Sequence, residues 1–118
     1  MKDTGRVEGD ERALDVLDEE WRMLGCLGVA CLKIDIEGSE LRALAGAREL
    51  IHTTRPWVFL EWYEANFRCF GHQAQDLLGV AREMRYQVVA LPDLVEIRSQ
   101  ALLMLHVHAT ASFALLPC

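Results

Sequence analysis

Apolar positions change their spacing along the chain, and the changes mark the predicted elements. The first apolar stripe has helical spacing and consists of Ala13, Leu14, Leu17, Trp21 and Leu24. Acidic residues occupy the opposite side, so the pattern predicts an amphipathic helix that ends at Gly25 and Gly28. The polar residues before it, 1–10, are expected to be a disordered or frayed N-terminus. Residues 11–118 are then expected to form one domain.

Two short apolar runs, residues 29–36 and 57–61, predict β-strands. A helix is predicted between them, and its apolar stripe is Leu41, Leu44, Ala47 and Ile51. A third helix is predicted over residues 72–84 and a third strand over 86–91, followed by a turn at Pro92 and Asp93. The remainder, 94–116, is predicted to form further short strands with polar breaks at 98–100 and 110–112.

The order of these elements indicates an α/β fold. Helices and strands alternate through most of the chain, which is typical of parallel strands joined by right-handed crossovers. We therefore expect a mostly parallel sheet with helices on both faces.

Charge on the first predicted strand sets it apart from an ordinary buried strand. Side chains alternate across a strand, so Lys33, Asp35 and Glu37 share one face, and Ile34 and Ile36 share the other. A strand buried between helix layers is normally apolar on both faces. Either the charged face is solvated, or it forms the floor of a site.

Three carboxylates lie at the carboxyl ends of the first two predicted strands. Ligands of open α/β sheets bind beyond the carboxyl ends of the strands, where Asp35, Glu37 and Glu61 lie. Adjacent strands are about 4.8 Å apart, so the three groups would converge. Such a cluster can hold a divalent cation, or it can raise one carboxylate's pKa and make a general base. The simpler interpretation is rim charges in contact with water, and the pattern alone favours it.

Two further groups of side chains are candidates for a site. His106 and His108 would share a face of a strand and could begin a metal site, although we prefer a solvated sheet edge. Trp62, Tyr63 and Phe67 follow the second strand, and they either belong to the core or line the mouth of a pocket.

Composition excludes several classes of function. A chain of 118 residues with 52% hydrophobic residues is typical of one globular domain. The net charge is −6 with no basic run, which argues against nucleic acid or an anionic membrane as partner. Four cysteines without a C-x-x-C motif, and an N-terminus without an apolar signal core, predict reduced thiols in a cytoplasmic protein. The sequence contains neither G-x-G-x-x-G nor a P-loop.

Several motifs, in order, resemble the FkbM-type methyltransferases. They are Leu14-Asp15-Val16-Leu17, Leu32-Lys33-Ile34-Asp35-Ile36-Glu37-Gly38-Ser39-Glu40, Leu44-Ala45-Gly46-Ala47 and Arg55-Pro56-Trp57-Val58-Phe59-Leu60-Glu61. The resemblance implies S-adenosylmethionine as cofactor, O-methylation of a sugar or other small metabolite, and a Rossmann-like sheet of seven strands. It makes residues 29–37 the fourth strand and 57–61 the fifth, with the tail supplying two more, one of them antiparallel.

The resemblance also implies that this chain is the C-terminal half of the domain. The family's glycine-rich cofactor loop would precede residue 10 and has no counterpart in the chain. The chain by itself is therefore expected to be inactive or weakly active. The sheet edge beside residues 29–36 would then be open, which favours a homodimer.

Residue roles follow from strand position. Asp35 or Glu37 would orient or deprotonate the acceptor hydroxyl, with or without a divalent metal. Glu61 would shape the pocket, and Lys33 would pair with a carboxylate. The alternative is a truncated, non-catalytic α/β module that self-associates or binds a partner.

Overall fold

The computed structural model describes residues 16–35, 39–107, 110 and 112–118, which form one five-stranded sheet and six helices. The helices are α1 (Val16–Met23), α2 (Glu40–Gly46), α3 (Arg48–Thr54), α4 (Glu64–Cys69), α5 (Asp76–Met84) and α6 (Gln100–Val107). The strands are β1 (Cys31–Ile34), β2 (Trp57–Glu61), β3 (Tyr86–Ala90), β4 (Val95–Ile97) and β5 (Ser112–Pro117).

The sheet is mixed, and the prediction of a mostly parallel sheet is wrong. The strand order is β1-β2-β5-β3-β4, and only β1 and β2 pair in parallel. The last strand, β5, lies between β2 and β3 and is antiparallel to both. Strands β1, β2 and β3 therefore run in the same direction, but β5 separates the third from the other two. Hydrophobic spacing identifies strands and does not fix their order in a sheet.

The core lies where paired strands place their apolar side chains on the same face. Val58 is paired with Leu115, and Leu60 with Phe113, and all four side chains are buried. Ala114 lies between Phe113 and Leu115 on β5. Its side chain is therefore on the opposite face of the sheet, and it is also buried. Both faces of β5 are therefore covered, as the centre of a layered α/β fold requires.

A polar side chain of α1 also connects this helix to the rest of the fold. Asp18 is only 5% exposed, and its carboxylate accepts hydrogen bonds from the backbone N–H groups of Glu49 (3.0 Å) and Leu50 (2.9 Å). It thereby caps α3 from another helix. We predicted one helix after Gly38, but a turn at Ala47 divides it into α2 and α3. The cap by Asp18 stabilises the N-terminus of the short helix α3 after this turn.

The predicted short strands over 94–116 are only partly confirmed. Strands β4 and β5 form, but residues 100–107 between them are the helix α6. Ser99 starts this helix by accepting a hydrogen bond from the backbone N–H of Leu102 through its hydroxyl. The segment is apolar nearly all round, so its spacing did not distinguish a helix from a strand.

The remaining boundaries differ by shorter segments. Strand β1 is shorter than predicted, and α5 begins at Asp76, because the preceding residues form α4 and a loop. The predicted turn at Pro92 and Asp93 is confirmed. All four cysteines are exposed free thiols. Within the described segments, no helix is long and apolar enough to cross a bilayer.

Candidate functional site

The carboxyl ends of β1 and β2 form the rim at which the sequence predicted a site. The two strands pair in parallel with Ile34 opposite Leu60, so Asp35 and Glu61 follow at the ends of adjacent strands. Asp35 is exposed, and Glu61 is half-buried. The structure therefore places two of the predicted carboxylates at the same end of the sheet, where β1 and β2 terminate. The third, Glu37, lies outside the described residues.

Ser112 holds the carboxylate of Glu61. These two residues are paired across β2 and β5, and the Ser112 hydroxyl donates a 2.9 Å hydrogen bond to Glu61 Oε2. One such bond fixes the side chain and leaves acceptor capacity on the carboxylate for a ligand hydroxyl. The sequence analysis missed Ser112, since the neighbour of β2 in the sheet cannot be read from hydrophobic spacing.

Lys33 is exposed on the edge strand β1, on the same face as Phe59. It makes no ion pair with any residue that the structure describes. Its pairing with a carboxylate stays a prediction. Among the residues that the structure describes, no group of three or more His, Cys, Asp or Glu side chains is arranged to hold a metal ion.

The two histidines do not share a strand, contrary to the prediction. His106 lies on α6, and its Nδ1 is 3.0 Å from the carbonyl oxygen of Leu102 in the preceding turn. His108 lies outside the described residues. The prediction was wrong because it rested on a strand in a segment that is helical.

The aromatic residues after β2 have different environments. Trp62 is fully buried, stacks on Phe67 with ring centroids 4.6 Å apart, and donates from its indole nitrogen to Ala74 O. Trp62 is therefore a core residue and does not line a pocket mouth. Tyr63 is 54% exposed, whereas Phe67 is only 2% exposed and is a core residue beneath the wall of a cleft.

Two clefts are relevant to ligand binding. A cleft of about 490 Å³ lies between α4, the loop before α5, and α6, and we call it the α4–α6 cleft. A second cleft, of about 760 Å³, lies among α1, α3 and the end of α5, and its walls include Arg22, His52 and Glu83. The second cleft lies beside the turns that precede β2 and β3, at the opposite end of those strands from Glu61.

Four of the described glycines do not form a cradle for an adenosyl group. A glycine-rich loop allows the backbone to approach a ligand more closely than a Cβ would permit. At Gly25, Gly28, Gly71 and Gly79, an added Cβ would meet nothing within 4 Å. None of these glycines therefore forms a close-approach loop, and we derive no chemical step through the cofactor.

The fold and the rim are those of an α/β protein with carboxylates at the carboxyl ends of adjacent parallel strands. Over residues 3–88 the sequence matches the methyltransferase FkbM domain family. The chain belongs to this family, as the resemblance predicted. The match begins within the ten residues for which we expected a frayed end. No curated protein and no solved structure matches the chain.

Proposed function

We propose that the chain belongs to an S-adenosylmethionine-dependent O-methyltransferase that acts on a small metabolite in the cytoplasm, and that its described rim binds the acceptor. Family membership supports methyl transfer. The observation that carries the acceptor role is the Glu61 carboxylate, which Ser112 holds at the rim next to Asp35. Specificity depends on pockets and loops, so the fold alone does not name the acceptor.

The chain's own residues would bind and orient a hydroxyl. Glu61 would accept a hydrogen bond from another O–H group of the acceptor, because Ser112 fixes its side chain while leaving acceptor capacity. Asp35 or Glu37 would take the proton, and exposed Lys33 would offset the negative charge at the rim.

S-adenosylmethionine, when bound, supplies an electrophilic methyl group. Because Gly25, Gly28, Gly71 and Gly79 form no close-approach loop for its adenosyl part, we expect the chain to transfer methyl groups only weakly. The direct test is transfer of radiolabelled methyl groups from S-adenosylmethionine to a panel of hydroxyl compounds, with titration calorimetry of the donor in parallel. Transfer above the protein-free background supports the proposal. Absence of both transfer and donor heat would overturn it in favour of the non-catalytic module.

A second proposal, self-association, has its own observation. Among the described residues, strand β1 is at the edge of the sheet, and beside it Cys31, Lys33 and the 52%-exposed Trp57 present a face that no other described residue covers. Open edges of this kind favour pairing with another strand. We expect a dimer in light scattering, and Cys31→Lys should convert it to a monomer. Cys69→Lys, at an exposed position on α4, is the matched control. A monomeric wild-type chain would contradict this proposal.

A further inference from the structure

We propose that Thr110 is a positioning residue of the rim: its hydroxyl holds the backbone of Ser112, so that Ser112 can hold the Glu61 carboxylate for the acceptor. This role rests on the proposed function, since it explains how the acceptor-binding carboxylate keeps its orientation. The observation that carries it is a series of hydrogen bonds that begins at the end of helix α6 and reaches Glu61 Oε2.

Ser112 is the first residue of β5, and its backbone hydrogen-bonding groups point away from β2. Its carbonyl oxygen accepts a 3.0 Å hydrogen bond from the N–H of Leu91, which follows β3. The N–H and C=O groups of a strand residue point to the same side, so the N–H of Ser112 also points toward β3. Ser112 and Glu61 are therefore paired without backbone hydrogen bonds between them, an arrangement that brings their side chains close.

Thr110 supplies the acceptor for the N–H of Ser112. Its Oγ1 accepts this hydrogen bond at 3.2 Å, as in the turns that serine and threonine side chains form with the residue two positions on. Its own N–H donates a 2.8 Å hydrogen bond to the carbonyl oxygen of His106, in the last turn of α6. Thr110 therefore fixes the start of β5 to the end of α6, two residues before the hydroxyl that holds Glu61.

The burial of this segment makes the hydrogen bonds of Ser112 decisive for its position. Phe113 is fully buried between its two neighbouring strands, so core packing fixes β5 from that residue onward. Ser112 comes just before this packing, and Thr110, Ser112 and Glu61 are all half-buried. Loss of the Thr110 hydroxyl would leave a partly buried N–H without this acceptor. The Ser112 hydroxyl, and with it the Glu61 carboxylate, would then be held less firmly.

The test measures the side-chain conformation of Glu61 in the full chain, without donor or acceptor. Three-bond NMR couplings from Glu61 Cγ to its backbone carbonyl carbon and nitrogen distinguish one fixed χ1 rotamer from an average over several. We expect one rotamer in the wild-type chain and averaged couplings in Thr110→Val and Ser112→Ala. Thr110→Ser keeps the hydroxyl and should restore the wild-type couplings.

The matched control is Thr54→Val. The Thr54 hydroxyl also makes one backbone hydrogen bond, to the carbonyl oxygen of Leu50 on α3, so the same substitution removes a comparable contact in another part of the fold. We expect the couplings of Glu61 to be those of the wild-type chain in this variant.

A double variant shows whether Thr110 acts through Ser112. If it does, Thr110→Val has no further effect on Glu61 once Ser112→Ala has removed the hydroxyl, so the two effects are not additive. The N–H of Ser112 should also exchange with solvent roughly threefold to tenfold faster in Thr110→Val than in the wild-type chain, the effect of losing one hydrogen bond.

The proposal is overturned if Thr110→Val keeps the wild-type couplings of Glu61, if Thr54→Val averages them equally, or if the effects of Thr110→Val and Ser112→Ala add. If Thr110→Val does not fold, hydrogen exchange in the wild-type chain decides. A protected Ser112 N–H then supports the proposal, and an unprotected one overturns it.

The outcome is separable from the proposed function. A chain whose Glu61 couplings depend on Thr110 but which transfers no methyl group refutes only the proposed activity. For an acceptor that the wild-type chain does methylate, we expect Thr110→Val to raise KM roughly threefold to tenfold with little change in kcat, because Glu61 contributes to binding. Methyl transfer with an unchanged KM in Thr110→Val refutes only the positioning role.

Discussion

The buried carboxylate of Asp18 accepts a 2.9 Å hydrogen bond from the backbone N–H of Leu50, two residues into helix α3. Its other oxygen accepts from Glu49 N–H, so one side chain satisfies two N–H groups at the start of that helix. The carboxylate therefore links α1 to α3, which leads directly into β2 of the candidate site.

Removing this cap should destabilise the fold. We expect Asp18→Ala to lower the free energy of unfolding by about 1–3 kcal/mol, since the buried N–H of Leu50 and the partly buried N–H of Glu49 lose their acceptor. Asp18→Asn should cost less, because its amide oxygen still accepts one bond. Denaturant titration measures both changes, with exposed Glu19→Ala as control. Equal stabilities for Asp18→Ala and the control would show that the cap contributes nothing.

Arg55 joins the turns that precede β2 and β3. Its guanidinium donates 2.7 Å hydrogen bonds to the carbonyl oxygens of Met84 and Arg85, and lies 4.5 Å from the centre of the Tyr86 ring. Lysine cannot reproduce two parallel bonds and a planar stack, so Arg55→Lys should cost about 1–2 kcal/mol. Arg48→Lys, exposed on α3, should be neutral. Matching thermal midpoints for the two variants would contradict this role.

Tyr86 should make stability fall at alkaline pH. Its hydroxyl donates a 2.6 Å bond to Pro56 O, and burial raises the pKa of Tyr86 although Arg55 lowers it. Because the folded pKa is above the ordinary tyrosine value of 10.0, this contribution is complete below pH 10 and is lost as pH rises through the folded pKa.

The alkaline loss can be assigned by removing the hydroxyl. We expect Tyr86→Phe to cost about 1 kcal/mol at neutral pH and to flatten the decline above pH 10. Tyr63→Phe is the control, since Tyr63 is exposed. Unfolding measured across this range checks the assignment, and an unchanged alkaline slope in Tyr86→Phe would rule it out.

Local patterns predicted much of the fold because spacing and turn residues act over a few positions. Both parallel strands and the cores of most helices are confirmed, and Pro92 marks the turn that was expected. Residues 100–107 were misassigned because a run that is apolar on all sides has no period to identify it. The cap by Asp18 joins distant segments, so the sequence showed only an acidic residue on a helix face.

The sequence also predicted part of the candidate site. Motif order led to the family, and strand ends led to Asp35 and Glu61. Ser112 could not be found, because its contact with Glu61 depends on the position of β5 in the sheet.

The most direct test of the account is methyl transfer by rim variants. Wild-type chain, Asp35→Asn, Glu61→Gln and the control Glu83→Gln, in the second cleft, are assayed with radiolabelled S-adenosylmethionine and the hydroxyl panel. We predict that transfer by at least one rim variant falls to the protein-free background, and that Glu83→Gln transfers like wild type. Wild-type transfer by both rim variants would contradict the assignment of the acceptor site to this rim.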